Sequence, residues 1–154
     1  VQELPFDRQE LPNTLKELPK LPDSLRILCC SSNLLQKLPK LPLGLQKLDC
    51  TFNQLQELPE LPPSLQELYC SSNCFQKLPE LPNSLQELHC AYNHLQELPD
   101  LPSGLQLLSC FSNKLQKLPE LSRCLQRLYC YSNPLESKDS LIEYCEKNKI
   151  AYCI

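Results

Sequence analysis

Residues 58–77 read LPELPPSLQELYCSSNCFQK, and residues 78–97 read LPELPNSLQELHCAYNHLQE. The second stretch repeats the first with a few substitutions, and the same twenty-residue phrase runs without insertion from Leu18 to Leu135. Fixed self-similarity at this period signals stacked copies of one supersecondary unit. Asn33, Asn53, Asn73, Asn93, Asn113 and Asn133 form one column, and Cys30, Cys50, Cys70, Cys90, Cys110 and Cys130 form another.

One such unit cannot bury its own apolar face. Leu65, Leu68 and Cys70 are expected to reach burial only by stacking on Leu45, Leu48 and Cys50 on one side and on Leu85, Leu88 and Cys90 on the other. A fully buried leucine contributes roughly 1.5–3 kcal/mol, against roughly 1.5 kcal/mol of ordering entropy per residue, so an array holds where a lone unit fails. Leu68-Tyr69-Cys70 alternates inward and outward, as a short strand does, and strands one period apart should pair in parallel and in register. The asparagine amides would satisfy backbone groups of the neighbouring turn. Two prolines three residues apart in L-P-x-L-P, at Leu38, Leu58, Leu78 and Leu98, exclude a helix on the return path and favour an extended or polyproline-II-like leg. Ser24, Gly44, Ser64, Ser84, Gly104 and Cys124 form a column of small residues, read as a tight approach between backbones.

Each unit fits L-x-x-L-x-C-x-x-N-x-L, with Phe75 in the last place once. This resembles the leucine-rich repeat pattern, with cysteine in its third apolar slot. The fuller phrase L-P-x-L-P-x-S-L-Q-x-L-x-C-x-x-N-x-L-Q is similar to the short repeats of secreted bacterial effectors of the YopM and IpaH type, and to repeats in large DNA viruses and their protist hosts. The resemblance covers about 120 of 154 residues. It implies an α/β-type leucine-rich-repeat solenoid with a parallel sheet on its concave side, used for binding protein inside a eukaryotic cell. In two respects the chain departs from those effectors: it has cysteine where they carry an aliphatic residue, and the ligase domain of the IpaH type is absent from the sequence.

Length and composition narrow the field. At 154 residues the chain reads as a single domain, with 1–20 as a degenerate front repeat, 21–135 as regular repeats and 136–154 as a helix–strand cap. A net charge of -3 argues against nucleic acid, whose binders carry basic stripes. No apolar run of about 18 residues supports a membrane span. The sequence starts at Val1, has no methionine and shows no signal segment, which reads as a processed or truncated start. Eleven cysteines raise the question of disulfides or zinc. The count is odd and the twenty-residue spacing is unlike the close pairs of a zinc site. Buried thiols in a reducing, intracellular compartment are therefore the expectation, with disulfide or metal as the alternative.

The ends depart from the period. Leu11–Leu18 matches Leu81–Leu88, yet Leu21-Pro22 follows at half the usual distance, so one front repeat reads as shortened, with Phe6 as a plug. At the rear, Asp139 or Ser140 is expected to cap a helix, Ser140 and Glu143 standing at capping-box spacing. Leu141, Ile142 and Cys145 would form its inward stripe, and Asn148 its stop. Ala151-Tyr152-Cys153 mirrors Leu128-Tyr129-Cys130 at an offset of 23 and is expected to add a last parallel strand, whose edge is exposed or pairs with another chain.

The substitutions between units concentrate in three columns beside each core cysteine: the residue before it (Cys29, Asp49, Tyr69, His89, Ser109, Tyr129), the residue after it (Ser31, Thr51, Ser71, Ala91, Phe111, Tyr131), and the next (Ser32, Phe52, Ser72, Tyr92, Ser112, Ser132). Six of ten aromatics fall here, and Tyr152 would make a seventh. Exposed aromatics on a rigid sheet suit recognition; the competing reading is that they merely stack on one another. The expected partner face is Asp49, Phe52, Tyr69, His89, Tyr92, Phe111, Tyr129, Tyr131 and Tyr152. Glu17, Lys37, Glu57, Lys77, Glu97 and Lys117 alternate in sign and should pair weakly along the stack, and two glutamine columns, Gln46 to Gln126 and Gln36 to Gln116, should form amide ladders.

No catalytic motif appears. His89, Tyr69 and Asp49 could be assembled into an acid–base site, but Asp49 stands two rungs from His89, roughly 10 Å at strand spacing. Cys74 reads as an exposed thiol with only Lys77 near to lower its pKa. The expectation is a non-enzymatic module without cofactor that binds a protein or peptide on its concave face. The alternatives are the targeting part of a larger effector ligase and a self-assembling solenoid that associates through its terminal edges.

Overall fold

The computed structural model describes residues 14–154; Phe6 and Leu11–Asn13 lie outside them. Seven three-residue strands form one parallel sheet in chain order: β1 (Ile27–Cys29), β2 (Lys47–Asp49), β3 (Glu67–Tyr69), β4 (Glu87–His89), β5 (Leu107–Ser109), β6 (Arg127–Tyr129) and β7 (Ala151–Cys153), with one helix, α1 (Lys138–Lys147), between β6 and β7. From β1 to β6 every residue pairs with the residue twenty positions on, as Leu68 does with Leu48 and Leu88. Successive leucines therefore meet leucines, and Leu48, Leu68, Leu88, Leu108 and Leu128 are sealed in the core with Cys50, Cys70, Cys90, Cys110 and Cys130.

Three short segments close each turn. The leg is irregular, as its prolines demand, and ends in a turn where Leu65 N–H donates to Pro62 O (3.1 Å) and its counterparts do likewise. After the core cysteine the chain bends inward through a residue in the left-handed region: Ser32, Phe52, Ser72, Tyr92, Ser112 and Ser132 all have φ between 52° and 58°. Neither glycine of the chain is used there. The bend carries the asparagine under the preceding turn. Asn73 Nδ2 donates to Cys70 O (3.2 Å) in its own turn and to Cys50 O (3.0 Å) in the turn before, while its Oδ1 accepts from Leu55 N–H (3.0 Å). Asn53, Asn93, Asn113 and Asn133 repeat the arrangement.

Several expectations are corrected. Leu15 N–H donates to Asn33 Oδ1 (3.1 Å) as Leu35 N–H does to Asn53, so Leu15 and Leu18 stand where Leu35 and Leu38 stand, not where Leu85 and Leu88 do; the period holds from Thr14. The small-residue column marks no tight backbone approach. At Gly44 the Arg26 guanidinium fills the space of a side chain, and at Gly104 that space is open. Smallness instead lets a hydroxyl reach back, with Ser64 Oγ donating to Leu45 O (2.7 Å) and Ser84 Oγ to Leu65 O (2.6 Å). The glutamine side chains lie exposed and, among the described residues, do not bond one another; it is the backbone that bonds, Gln46 O accepting from Gln66 N–H (2.8 Å) and Glu67 N–H (3.1 Å). The charges from Glu17 to Lys117 are exposed and, among the described residues, form no ion pair.

The rear cap is a helix and strand, with boundaries other than the expected ones. Ser137, not Asp139 or Ser140, is the N-cap, and it makes no side-chain capping bond; Asp139 instead supplies a negative charge in the first turn, where it suits the helix dipole. Cys145 is buried while Leu141 and Ile142 are half-buried. Asn148 is the C-cap, and Lys149 follows at φ 55°. Lys149 N–H then donates to Glu146 O and Ile150 N–H to Cys145 O, the Schellman pattern. β7 pairs Tyr152 with Leu128 and Cys153 with Tyr129, an offset of 24 rather than 23. A one-residue slip exchanges the two faces of a strand, so Tyr152 stands in the inward leucine column and bonds Glu146 Oε1 through its hydroxyl (3.1 Å).

Two stability changes follow. Asn73→Ala leaves buried backbone groups of two turns unpaired and should cost about 2–4 kcal/mol, read as a lower urea midpoint. Asn33→Ala should cost less, because Asn33 is only half-buried where its counterparts are buried, and the bonds its nitrogen makes among the described residues stay within its own turn, to Cys30 O and Ser31 O. Gly104→Ser restores the missing hydroxyl bond in open space and should raise stability by about 0.5–1.5 kcal/mol; no gain would refute the role assigned to that column.

Candidate functional site

On a three-residue strand, positions one and three share a face. The outward face of the sheet therefore carries two columns: Ile27, Lys47, Glu67, Glu87, Leu107 and Arg127, and Cys29, Asp49, Tyr69, His89, Ser109 and Tyr129. The first column was missed in the sequence reading, although stepping back two residues from Tyr69 would have found it. The bends add a third strip along the C-terminal ends of the strands, with Phe52, Tyr92, Phe111 and Tyr131.

The middle of the face is a tied polar cluster. Lys47 Nζ lies 2.6 Å from Glu67 Oε2 and 4.7 Å from the centre of the Tyr69 ring. The Tyr69 hydroxyl sits between Glu67 Oε2 (3.1 Å) and Glu87 Oε2 (3.0 Å), and its other ring face stacks on His89, centroids 4.5 Å apart. Burial, then the hydrogen bond to Glu87, push the tyrosine's ionisation upward. The hydrogen bond from Lys47 chiefly holds Glu67 below the usual carboxylate range. His89 Nε2 is sealed from solvent and has no hydrogen-bond partner; Glu87 Oε2, at 3.6 Å, is too far for one. Burial outweighs the attraction of Glu87, so the His89 pKa is depressed, and Arg127 depresses it further.

The bend strip is built differently. Phe111 stacks on Tyr131 (4.4 Å between centroids) and meets Tyr92 edge-on (5.1 Å). Phe52 has no ring neighbour among the described residues and is 62% exposed; Tyr92 is 57% exposed. β5 separates Tyr129 from the polar cluster, because Leu107 and Ser109 are both buried. Asp49 is half-buried, and its Oδ1 accepts from Thr51 N–H (3.1 Å). Tyr152 is not part of this face. The face thus unites Asp49, Tyr69, His89 and Tyr129 from the strands with Phe52, Tyr92, Phe111 and Tyr131 from the bends.

The core thiols are free, and burial raises their pKa, Cys90 to about 12; a thiol so protonated is inert. Cys74 is free and exposed. Among the described residues no group of histidine, cysteine or carboxylate side chains could hold a metal ion, and no helix is long and apolar enough to cross a membrane.

Comparison with known proteins fits this geometry. The family model for leucine-rich repeats (two copies) matches residues 63–103. The leucine-rich-repeat domain of a Shigella effector superposes with a TM-score of 0.73 at 30% identity, covering 90% of this chain and 77% of that one. The chain belongs to the leucine-rich repeat family. YopM from Yersinia enterocolitica WA-314 is 41% identical (TM-score 0.71; 71% of this chain, 25% of that one), and YopM from Yersinia pestis, a leucine-rich effector protein, is 36% identical (0.70; 79% and 41%). This leucine-rich repeat protein thus spans a quarter and about two fifths of the two YopM chains. No curated protein matches it significantly. The fold and these neighbours support a protein-interaction module, and domains of this family are generally non-catalytic.

The depressed His89 pKa makes stability depend on pH. The unfolded histidine takes up a proton near its ordinary value of about 6.5, while the folded one resists. As pH falls below that value the unfolded state binds more protons, and folding stability drops until the folded pKa is passed. Glu67 acts in a lower window, its contribution being lost only as pH falls through the carboxylate range. Urea midpoints should therefore fall between about pH 7 and 5, and His89→Gln should flatten that part of the profile; an unchanged slope would refute the assignment.

Proposed function

We propose that the outward face of the sheet takes a protein or peptide partner, with Phe52, Tyr92, Phe111, Tyr131 and Tyr129 as aromatic anchors and the Lys47–Glu67–Tyr69–Glu87–His89 cluster as a rigid polar bed beside them. Asp49 adds a carboxylate at its border. One observation carries the reading. Phe52 and Tyr92 are more than half exposed on a left-handed backbone, a conformation that disfavours bulky residues. Four other turns place serine at that position. Tyr92 gains one edge-on contact with Phe111, but Phe52 has no ring neighbour among the described residues, so stability gives no reason for its exposed ring at a strained site, whereas recognition does, since aromatics dominate interface energetics.

The polar cluster has a second role. Tyr69 and His89 spend their ring faces on each other and on Lys47, so they hold the bed rigid and present edges to a partner. The likeness to effector repeats favours a non-catalytic recognition module of a secreted or host-cell protein, and eleven free thiols favour a reducing compartment.

The test uses the chain's own alternative. Phe52→Ser with Tyr92→Ser installs the residue of the other turns. Stability should change by no more than about 1.5 kcal/mol, the scale of one aromatic contact, while partners captured from a eukaryotic lysate by the wild type should be lost. An identical captured set, with Lys77→Ala as the control on an exposed leg, would overturn the proposal.

A further inference from the structure

The aromatic strip along the bends has a gap in it. Phe52, Ser72 and Tyr92 stand at the same position of successive turns, with φ of 55°, 55° and 52°. The backbone ties them rung to rung: Phe52 N–H donates to Ser71 O (3.0 Å), Ser72 N–H to Ala91 O (2.9 Å) and Tyr92 N–H to Phe111 O (3.1 Å). Phe52 and Tyr92 therefore leave the backbone in the same way, two rungs and about 10 Å apart at strand spacing. Where rings occupy neighbouring rungs of this face, their centroids lie 4.4 Å apart (Phe111 and Tyr131), 4.5 Å (Tyr69 and His89) or 5.1 Å (Tyr92 and Phe111). Two such spacings fill two rungs, so the strip lacks one ring, and serine stands in its place.

The slot is open and its floor is small. Its walls, Phe52 and Tyr92, are exposed, and Ser71 and Ser72 beneath them are half-buried. The Ser71 hydroxyl accepts from Ala91 N–H (3.1 Å), whereas that of Ser72 makes no hydrogen bond among the described residues. The charge nearby is one-sided. In the same three rungs the strands carry three carboxylates outward, Asp49, Glu67 and Glu87, against one ammonium, Lys47. Register sets Glu67 directly beside Glu87, and like charges so placed cost stability. Burial lowers the His89 pKa, so the imidazole adds no positive charge near neutral pH. A guest that fits must be flat enough to lie between two rings, and positive. Among the cationic side chains arginine meets both demands, stacking on aromatic faces while its plane of N–H groups donates outward.

We propose that the slot between Phe52 and Tyr92 receives an arginine of the partner, its guanidinium lying over Ser72 as the missing ring of the strip and within the negative field of Asp49, Glu67 and Glu87. The inference rests on the outward face being the partner face, and it narrows the partner to a chain that presents a basic segment. Its ionic part weakens with salt.

Three short peptides that differ in one residue, arginine, citrulline or proline, probe the slot on the full chain. Titration followed by NMR should show saturable shifts at the Ser72 amide and the Phe52 and Tyr92 rings with the arginine peptide. Citrulline is as flat but uncharged, and proline is an uncharged ring; both should bind about two- to fivefold more weakly. Ser72→Tyr supplies the missing ring on a backbone that already carries tyrosine at Tyr92, and it should abolish the arginine shifts. Phe52→Ser with Tyr92→Ser removes the walls and should do the same. No saturable shift with the arginine peptide overturns the proposal. So do shifts that citrulline or proline matches, or that survive in either folded variant. In a lysate, Ser72→Tyr should lose the partners that the wild type captures. If it keeps them while Phe52→Ser with Tyr92→Ser loses them, the partner face stands and the arginine slot falls.

Discussion

The side-chain amide of each buried asparagine ties three backbone groups from two turns at once. Its oxygen must meet the N–H eighteen residues earlier, and its nitrogen must meet carbonyls three and twenty-three residues earlier. One inserted residue anywhere in a turn would break these bonds inside a core where unpaired polar groups are costly. The period is therefore fixed by hydrogen bonding, and the leucines accept it. Once it is fixed, the strands have no freedom of register, and every column that follows is a consequence.

That constraint explains two features that hydrophobicity alone would not. The bend that tucks the asparagine inward needs a left-handed residue in each of six turns, yet no glycine serves there. The array tolerates six strained residues because the amide network and parallel pairing determine the bend from both sides. Cysteine in the third apolar slot fits the same geometry. It is a small hydrophobe beside a carbonyl that must accept from two asparagines, as Cys50 O does from Asn53 and Asn73.

Legibility in the sequence followed the same division. The inward columns could be read because they repeat; sheet order, register, leg and the existence of the final helix and strand all followed from them. The outward face was half legible. The residues flanking the cysteines were found from their variation, but Lys47, Glu67, Glu87 and Arg127 were not, because the outward face was taken only from the residues beside each cysteine and not from the strand position two residues earlier. Their meeting with Tyr69 and His89 is a product of register, not of local pattern. Glutamine ladders were wrongly expected because identical amides one rung apart look ready to bond, while exposed side chains have water as a partner. Tyr152 was misplaced by one residue, since a helix intervenes and nothing in the sequence counts its turns.

The rear end shows what happens where the amide column stops. Twenty residues after Asn133 stands Cys153, so no side chain enforces the period, and β7 is placed by the backbone and by Ile150 packed under the helix. Freed from the period, the chain lengthens this turn by four residues and runs a ten-residue helix through it. A helix is rounder than an extended leg and cannot lie flat on Leu118 and Leu121, so the leg end stays open. On the leg side Leu118 and Leu121 stay half-buried, while Cys145 of the helix is sealed in the core, so the close stacking of leg on leg is kept only where the amide column enforces the period.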